Sequence, residues 1–208
     1  GPLIPSPQEI YGWGLLPFTS DSSGSSSFGR PAQLEKFSKL GVVHMCVSEW
    51  CLLILTRTGD VYMQFFNSEE QSLYFVEELS SKDVVQVATY HEGHHYLALT
   101  TAGEVYIWGN GDDTGITEEP TLVADLPDMD SGNLVTSISC GAGYSAVITS
   151  NGQLYTWGKG LYGRLGHGTS DDQPKPKLVE GLQGEQVQQV ACGGINGQTL
   201  ALTMSVYL

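Results

Sequence analysis

The sequence predicts an all-β protein: an open arc of β-propeller, with three to four blades of four antiparallel strands each. Three observations predict it. The first is a repeat. Thr56-Arg57-Thr58-Gly59-Asp60-Val61-Tyr62, Thr100-Thr101-Ala102-Gly103-Glu104-Val105-Tyr106 and Thr149-Ser150-Asn151-Gly152-Gln153-Leu154-Tyr155 all read T-x-x-G-x-(V/L)-Y. Their tyrosines lie 44 and 49 residues apart, a period typical of propeller blades. The second is composition. There are 26 glycines and only 15% charged residues, which suits many turns and strands and leaves too few ionic groups for the outer faces of a helical bundle. The third is two-sided hydrophobicity. In Val105-Tyr106-Ile107-Trp108 both strand faces are apolar, so the sheet must lie between two other sheets.

Each unit is assigned in the same way. An apolar run (52–55, 97–99, 146–148) forms a strand, T-x-x-G a tight turn and V-Y-x-W the returning strand. Another β-rich segment precedes each run, at 42–47, 84–88 and 135–139. The chain opens on a blade tail, 9–14, because Ile10-Tyr11-Gly12-Trp13-Gly14 matches Val105-Tyr106-Ile107-Trp108-Gly109. The Ser-rich stretch 19–29 cannot build a core and is expected to be a flexible loop between strands. Repeats follow at about 40–83, 84–134 and 135–186, then a truncated one at 187–208. All belong to one domain, 1–208.

Two catalytic-looking patterns fail on context. His91-Glu92-Gly93-His94-His95 has the H-E-x-x-H spacing of zinc proteases, which works only when both histidines share a helical face. The corresponding stretch of the last copy reads Cys192-Gly193-Gly194-Ile195-Asn196-Gly197. A segment that can be so glycine-rich is a turn. Gly158-Lys159-Gly160-Leu161-Tyr162-Gly163 fits G-x-G-x-x-G, but Arg164-Leu165-Gly166-His167-Gly168 follows where a phosphate-binding helix should open. No catalytic residue, metal or cofactor is expected.

The third copy is the most regular. Trp157-Gly158-Lys159-Gly160-Leu161-Tyr162-Gly163-Arg164-Leu165-Gly166-His167-Gly168 resembles the repeat of the regulator of chromosome condensation family. Ala191-Cys192-Gly193 and Leu200-Ala201-Leu202-Thr203 follow in family order. The first copy, Val61-Tyr62-Met63-Gln64-Phe65, lacks the Trp-Gly, and the second loses the L-G-x-G tail after Trp108-Gly109. The resemblance covers most of 9–203 and implies a seven-bladed propeller. Pro7-Gln8-Glu9-Ile10-Tyr11-Gly12-Trp13-Gly14 and Gly93-His94-His95-Tyr96-Leu97-Ala98-Leu99 resemble most the RCC-like domains of giant HECT-type ubiquitin ligases. That implies a non-catalytic protein-interaction module recruiting substrates or regulators. The HECT cysteine belongs to another domain, so none of Cys46, Cys51, Cys140 and Cys192 inherits its role. The family also implies an alternative, a nucleotide-exchange regulator of a small GTPase.

Seven blades of roughly 50 residues need about 350, so the remaining blades are expected from the parent chain or from a second copy. An initial Gly instead of Met also suggests a piece of a longer protein, or a processed one. With 9 Lys+Arg against 23 Asp+Glu the formal charge is −14. That opposes nucleic acid and anionic membranes and suits a protein partner with a basic surface. No apolar run reaches membrane-spanning length. The cysteines form no C-x-x-C pair and read as reduced, buried thiols in an intracellular protein, cytoplasmic or nuclear. Partner-binding residues are expected in three loops, 90–95, 110–115 and 161–167. The candidates are Tyr90, His91, His94, His95, Asp112, Asp113, Tyr162, Arg164 and His167.

Overall fold

The computed structural model describes residues 9–67, 72–109 and 116–204. A two-stranded ribbon, β1 (Tyr11–Leu15) and β2 (Ser27–Gln33), comes first. Three four-stranded antiparallel meanders follow. The first is β3 (Val42–Val47), β4 (Cys51–Thr56), β5 (Val61–Phe65) and β6 (Tyr74–Phe75). The second is β7 (Val84–Thr89), β8 (His95–Thr100), β9 (Val105–Gly109) and β10 (Thr121–Leu122). The third is β11 (Val135–Gly141), β12 (Tyr144–Thr149), β13 (Leu154–Gly158) and β14 (Gln173–Leu178). A second ribbon, β15 (Gln186–Cys192) and β16 (Thr199–Met204), ends the description. Among the described residues, helix is confined to three-residue 3-10 turns.

These sheets are the blades of a propeller, and the arc is not closed. The first strands run along the narrow edge, β3 against β7, β7 against β11 and β11 against β15. The second strand of each full blade is buried on both faces, and its alternation divides the core. In β4, Cys51, Leu53 and Leu55 face the second blade, while Leu52 and Ile54 face the β1–β2 ribbon with Ile10, Phe18 and Phe37. In β8, Tyr96 and Ala98 face back to the first blade, and Leu97 and Leu99 face forward to Val147 and Trp157. In β12, Ala146 and Ile148 pack forward on Val187 and Val190. This period-2 division is what two-sided hydrophobicity required. Among the described residues no further blade covers the two end sheets, and Trp13 (63% exposed) and Leu200 (66%) are open.

The T-x-x-G turn has a specific physical cause. In each copy the threonine hydroxyl accepts from the amide four residues on, Thr56 from Asp60, Thr100 from Glu104 and Thr149 from Gln153, each at 3.2 Å. The glycine has positive φ and abuts the start of the following blade. A β-carbon on Gly59 would sit 3.1 Å from the Asp83 Cα, and one on Gly152 would sit 2.9 Å from the Gln186 Cα. Only glycine suits both demands.

The stretch 19–29 is shorter as a loop than the sequence suggests. β2 begins at Ser27, and Asp21 closes the tip by accepting from the Ser23 and Ser25 amides at 2.8 and 3.0 Å. A short acidic side chain can organise such a tip without a core.

Candidate functional site

In a four-strand meander, the loops joining first to second and third to fourth strands lie at one end. Loops 90–94 and 159–172 therefore lie on the same rim as residues 116–120. Asp112 and Asp113 lie outside the described residues. The T-x-x-G turns and the 3-10 turns that precede β3, β7, β11 and β15 occupy the opposite rim.

The H-E-x-x-H stretch is a turn entering β8, and its three histidines diverge. His91 is exposed, with Nε2 3.7 Å from a Glu49 carboxylate oxygen. Its carbonyl accepts from the Glu49 amide at 2.8 Å. The exposed His94 ring lies 5.2 Å from that of Trp50. His95 is buried, its Nε2 2.9 Å from the Ser145 hydroxyl of the third blade. Burial lowers its pKa to about 4, so it is neutral at pH 7. These positions share no metal-facing helical face.

The remaining candidates divide between blade joining and exposure. Tyr90 is half-buried, its hydroxyl so near Gly194 that a β-carbon there would come within 2.7 Å. Arg164 is buried and bonds three carbonyls: Nε donates to Leu161 (2.8 Å), Nη1 to Ala142 (3.0 Å) and Nη2 to Ile195 (2.8 Å). Its guanidinium stands 5.8 Å from the Tyr144 ring centroid. Arg164 therefore clamps three loops. His167 is half-buried, 2.9 Å from the Thr156 hydroxyl, and burial lowers its pKa. Tyr162 is exposed, with left-handed φ of 64° in the 3-10 turn Leu161–Gly163. That turn stands where a dinucleotide-binding protein would need a helix. The free cysteines are not activated: burial pushes the Cys51 thiol up to about 12 and raises Cys46, Cys140 and Cys192 above their ordinary value.

Below the same rim, a half-open cavity of about 540 Å³ lies between the first and second blades. Its floor is Met63, Val76, Tyr96 and Trp108, with the Trp108 indole N–H 3.4 Å from the Met63 sulfur. Its walls are Trp50, Phe65, Tyr74 and His94, with Asn67 and Glu118 at the polar edge. The sequence reasoning named only His94 of these. A signal was present: Phe65 stands where the other copies have the glycine of Trp-Gly.

Comparison with known proteins agrees with this architecture. Models of the Regulator of chromosome condensation (RCC1) repeat match residues 135–164 and 151–196. The chain is 44% identical over 216 residues to "E3 ubiquitin-protein ligase HERC2" of Homo sapiens, covering 97% of this chain and 4% of that protein. Human WBSCR16 has a similar structure, with a TM-score of 0.75 at 22% identity, covering 97% of this chain and 55% of that one. So does Prp20p from Saccharomyces cerevisiae, with a TM-score of 0.72 at 18% identity, covering 95% and 52%. The structure of Prp20p is described together with its binding to Gsp1p and histones. At these identities the structures speak to fold alone. The chain spans a small part of its ligase relative and about half of each structural neighbour. Regular repeats in the third and fourth units, kinship along nearly the whole length and three propeller blades lead to one conclusion: the chain belongs to the regulator of chromosome condensation repeat family.

Proposed function

We propose that this chain is a non-catalytic protein-interaction module of an E3 ubiquitin ligase, and that the rim carrying loops 90–94 and 159–172 recruits the ligase's substrates or regulators. The observation that carries it is the half-open aromatic cavity under that rim. Kinship with a ligase along 97% of the chain supports the ligase setting, and with it a cytoplasmic or nuclear location. The remaining blades come from the parent chain in this reading. A partner with a basic surface suits the net charge of −14.

The test uses the parent ligase. Tyr162→Ala and Trp50→Ala change the rim, and Arg57→Ala changes an exposed turn residue on the opposite one. The rim variants are expected to remove a defined subset of ubiquitylated proteins from quantitative ubiquitin-remnant proteomics while self-ubiquitylation persists. Arg57→Ala leaves both intact. Equal effects from the two rims would overturn the assignment. Nucleotide release from a small GTPase separates the exchange alternative, since an interaction module leaves that rate unchanged.

A further inference from the structure

Six aromatic rings from two blades converge on the cavity between the first and second blades. The Trp50 and His94 rings are tilted by 32°, with centroids 5.2 Å apart. Phe65 and Tyr74 stand 6.3 Å apart. Tyr96 and Trp108 lie 5.5 Å apart at the floor. Aromatic faces carry negative quadrupolar potential and attract cations, quaternary ammonium above all. The mouth is acidic as well. Glu118 lines it, and Glu78, Glu119 and Glu77 act on the Tyr74 hydroxyl strongly enough, after burial, to raise its pKa.

We propose that this cavity is a cation cage for a methylated lysine side chain on a basic segment of a protein partner. The inference rests on the interaction reading above and names its ligand. Charge complementarity selects the class, because an acidic chain with carboxylates around an aromatic mouth favours a cation over a neutral apolar side chain. Methylation is selected by hydrogen bonding. A bare ammonium carries three N–H donors that need acceptors once buried, and the lining is chiefly rings. Methyl groups remove donors and keep the charge. The cavity is also large enough for the lysine stem and part of its neighbouring chain, which a free small cation would leave unfilled.

The test is an indole N–H NMR titration of the 208-residue chain, whose four tryptophans are Trp13, Trp50, Trp108 and Trp157. The probes are N-acetyl-trimethyllysine methylamide, its neutral tert-butyl carbon isostere, the unmethylated lysine derivative and choline. The trimethyllysine probe is expected to shift Trp50 and Trp108 saturably and leave Trp13 and Trp157 in place. The neutral isostere is expected to bind about ten-fold more weakly, as a desolvated cation–π contact implies. Tyr74→Leu and Phe65→Leu each weaken the trimethyllysine probe several-fold, with the unshifted Trp157 signal reporting an intact fold. Equal binding of the isostere, tighter binding of choline or of unmethylated lysine, or unchanged affinity in both leucine variants would overturn the proposal. If the probe leaves Trp50 and Trp108 unmoved while rim variants still change the ubiquitylated set, the cage falls and the interaction module stands.

Discussion

The third blade keeps the family repeat and the first departs from it, and their differences lie at matching positions. Trp157 of the third blade fills the gap toward the second, packed with Leu97, Leu99 and Val147. The matching residue of the first blade is Gln64, fully buried, and neither its amide oxygen nor its nitrogen has a hydrogen-bond partner among the described residues. Gly158 of the third blade has φ of 111° and lies where a β-carbon would be 2.7 Å from the Tyr144 Cα. The matching residue of the first blade is Phe65, a wall of the aromatic cavity. Where the repeat is regular, its residues hold blades together. Where it decays, Phe65 takes the place of that glycine and walls a cavity that faces the second blade, with Trp108 at its floor. In this protein the candidate binding feature lies in the irregular copy.

The comparison can be broken or sharpened by measurement. The largest effect is expected from Trp157→Ala, which removes a ring from a closed interface and costs about 3–5 kcal/mol. Urea denaturation followed by far-UV circular dichroism checks it. Acid comes next. The folded His95 has its pKa lowered to about 4 by burial, against an unfolded value near 6.5. As pH falls below 6.5 the unfolded chain takes up the proton first. Stability contributed by the neutral imidazole is thus full above that pH and lost progressively toward pH 4. The loss is on the order of 3 kcal/mol, and His95→Gln should remove that part of the pH profile.

Gln64→Leu in the irregular blade is expected to stabilise the protein by about 1–2 kcal/mol, since it removes a buried amide that has no partner among the described residues. A destabilised variant would mean that Gln64 meets its hydrogen-bonding needs in another way. Thr149→Val deletes the hydroxyl that accepts from Gln153 and should cost about 1 kcal/mol. The smallest effect belongs to the rim. Glu49→Gln loses only the exposed contact with His91, worth less than about 0.5 kcal/mol. A larger change would show that the rim loops carry stability that the blades were assigned.

Much of the fold was legible because blades are local. T-x-x-G names its own turn, since the threonine hydroxyl and the positive-φ glycine act within five residues. V-Y-x-W names a strand buried on both sides. The rim was less legible. Arg164 and His95 carry polar groups in loop-like sequence, so they read as partner-facing. The structure turns both inward, because polar groups buried where neighbouring blades meet must find partners: Arg164 donates to the Ala142 and Ile195 carbonyls, and His95 pairs with the Ser145 hydroxyl. Trp50, Phe65 and Tyr74 passed unnoticed as residues of a degenerate repeat. They are separated along the chain and share a cavity only once the second blade is in place.

The repeat by itself determined the strands, the turns, the blade count within this chain and the faces that must be buried. All of these follow from side-chain periodicity and from backbone demands confined to a few residues. Tertiary structure alone decided which polar rim residues are clamps and which are exposed, and that a cavity of about 540 Å³ stands beside the irregular blade. Those outcomes depend on how one wedge meets the next, and the distance between two wedges is set by side chains that lie about 50 residues apart in sequence.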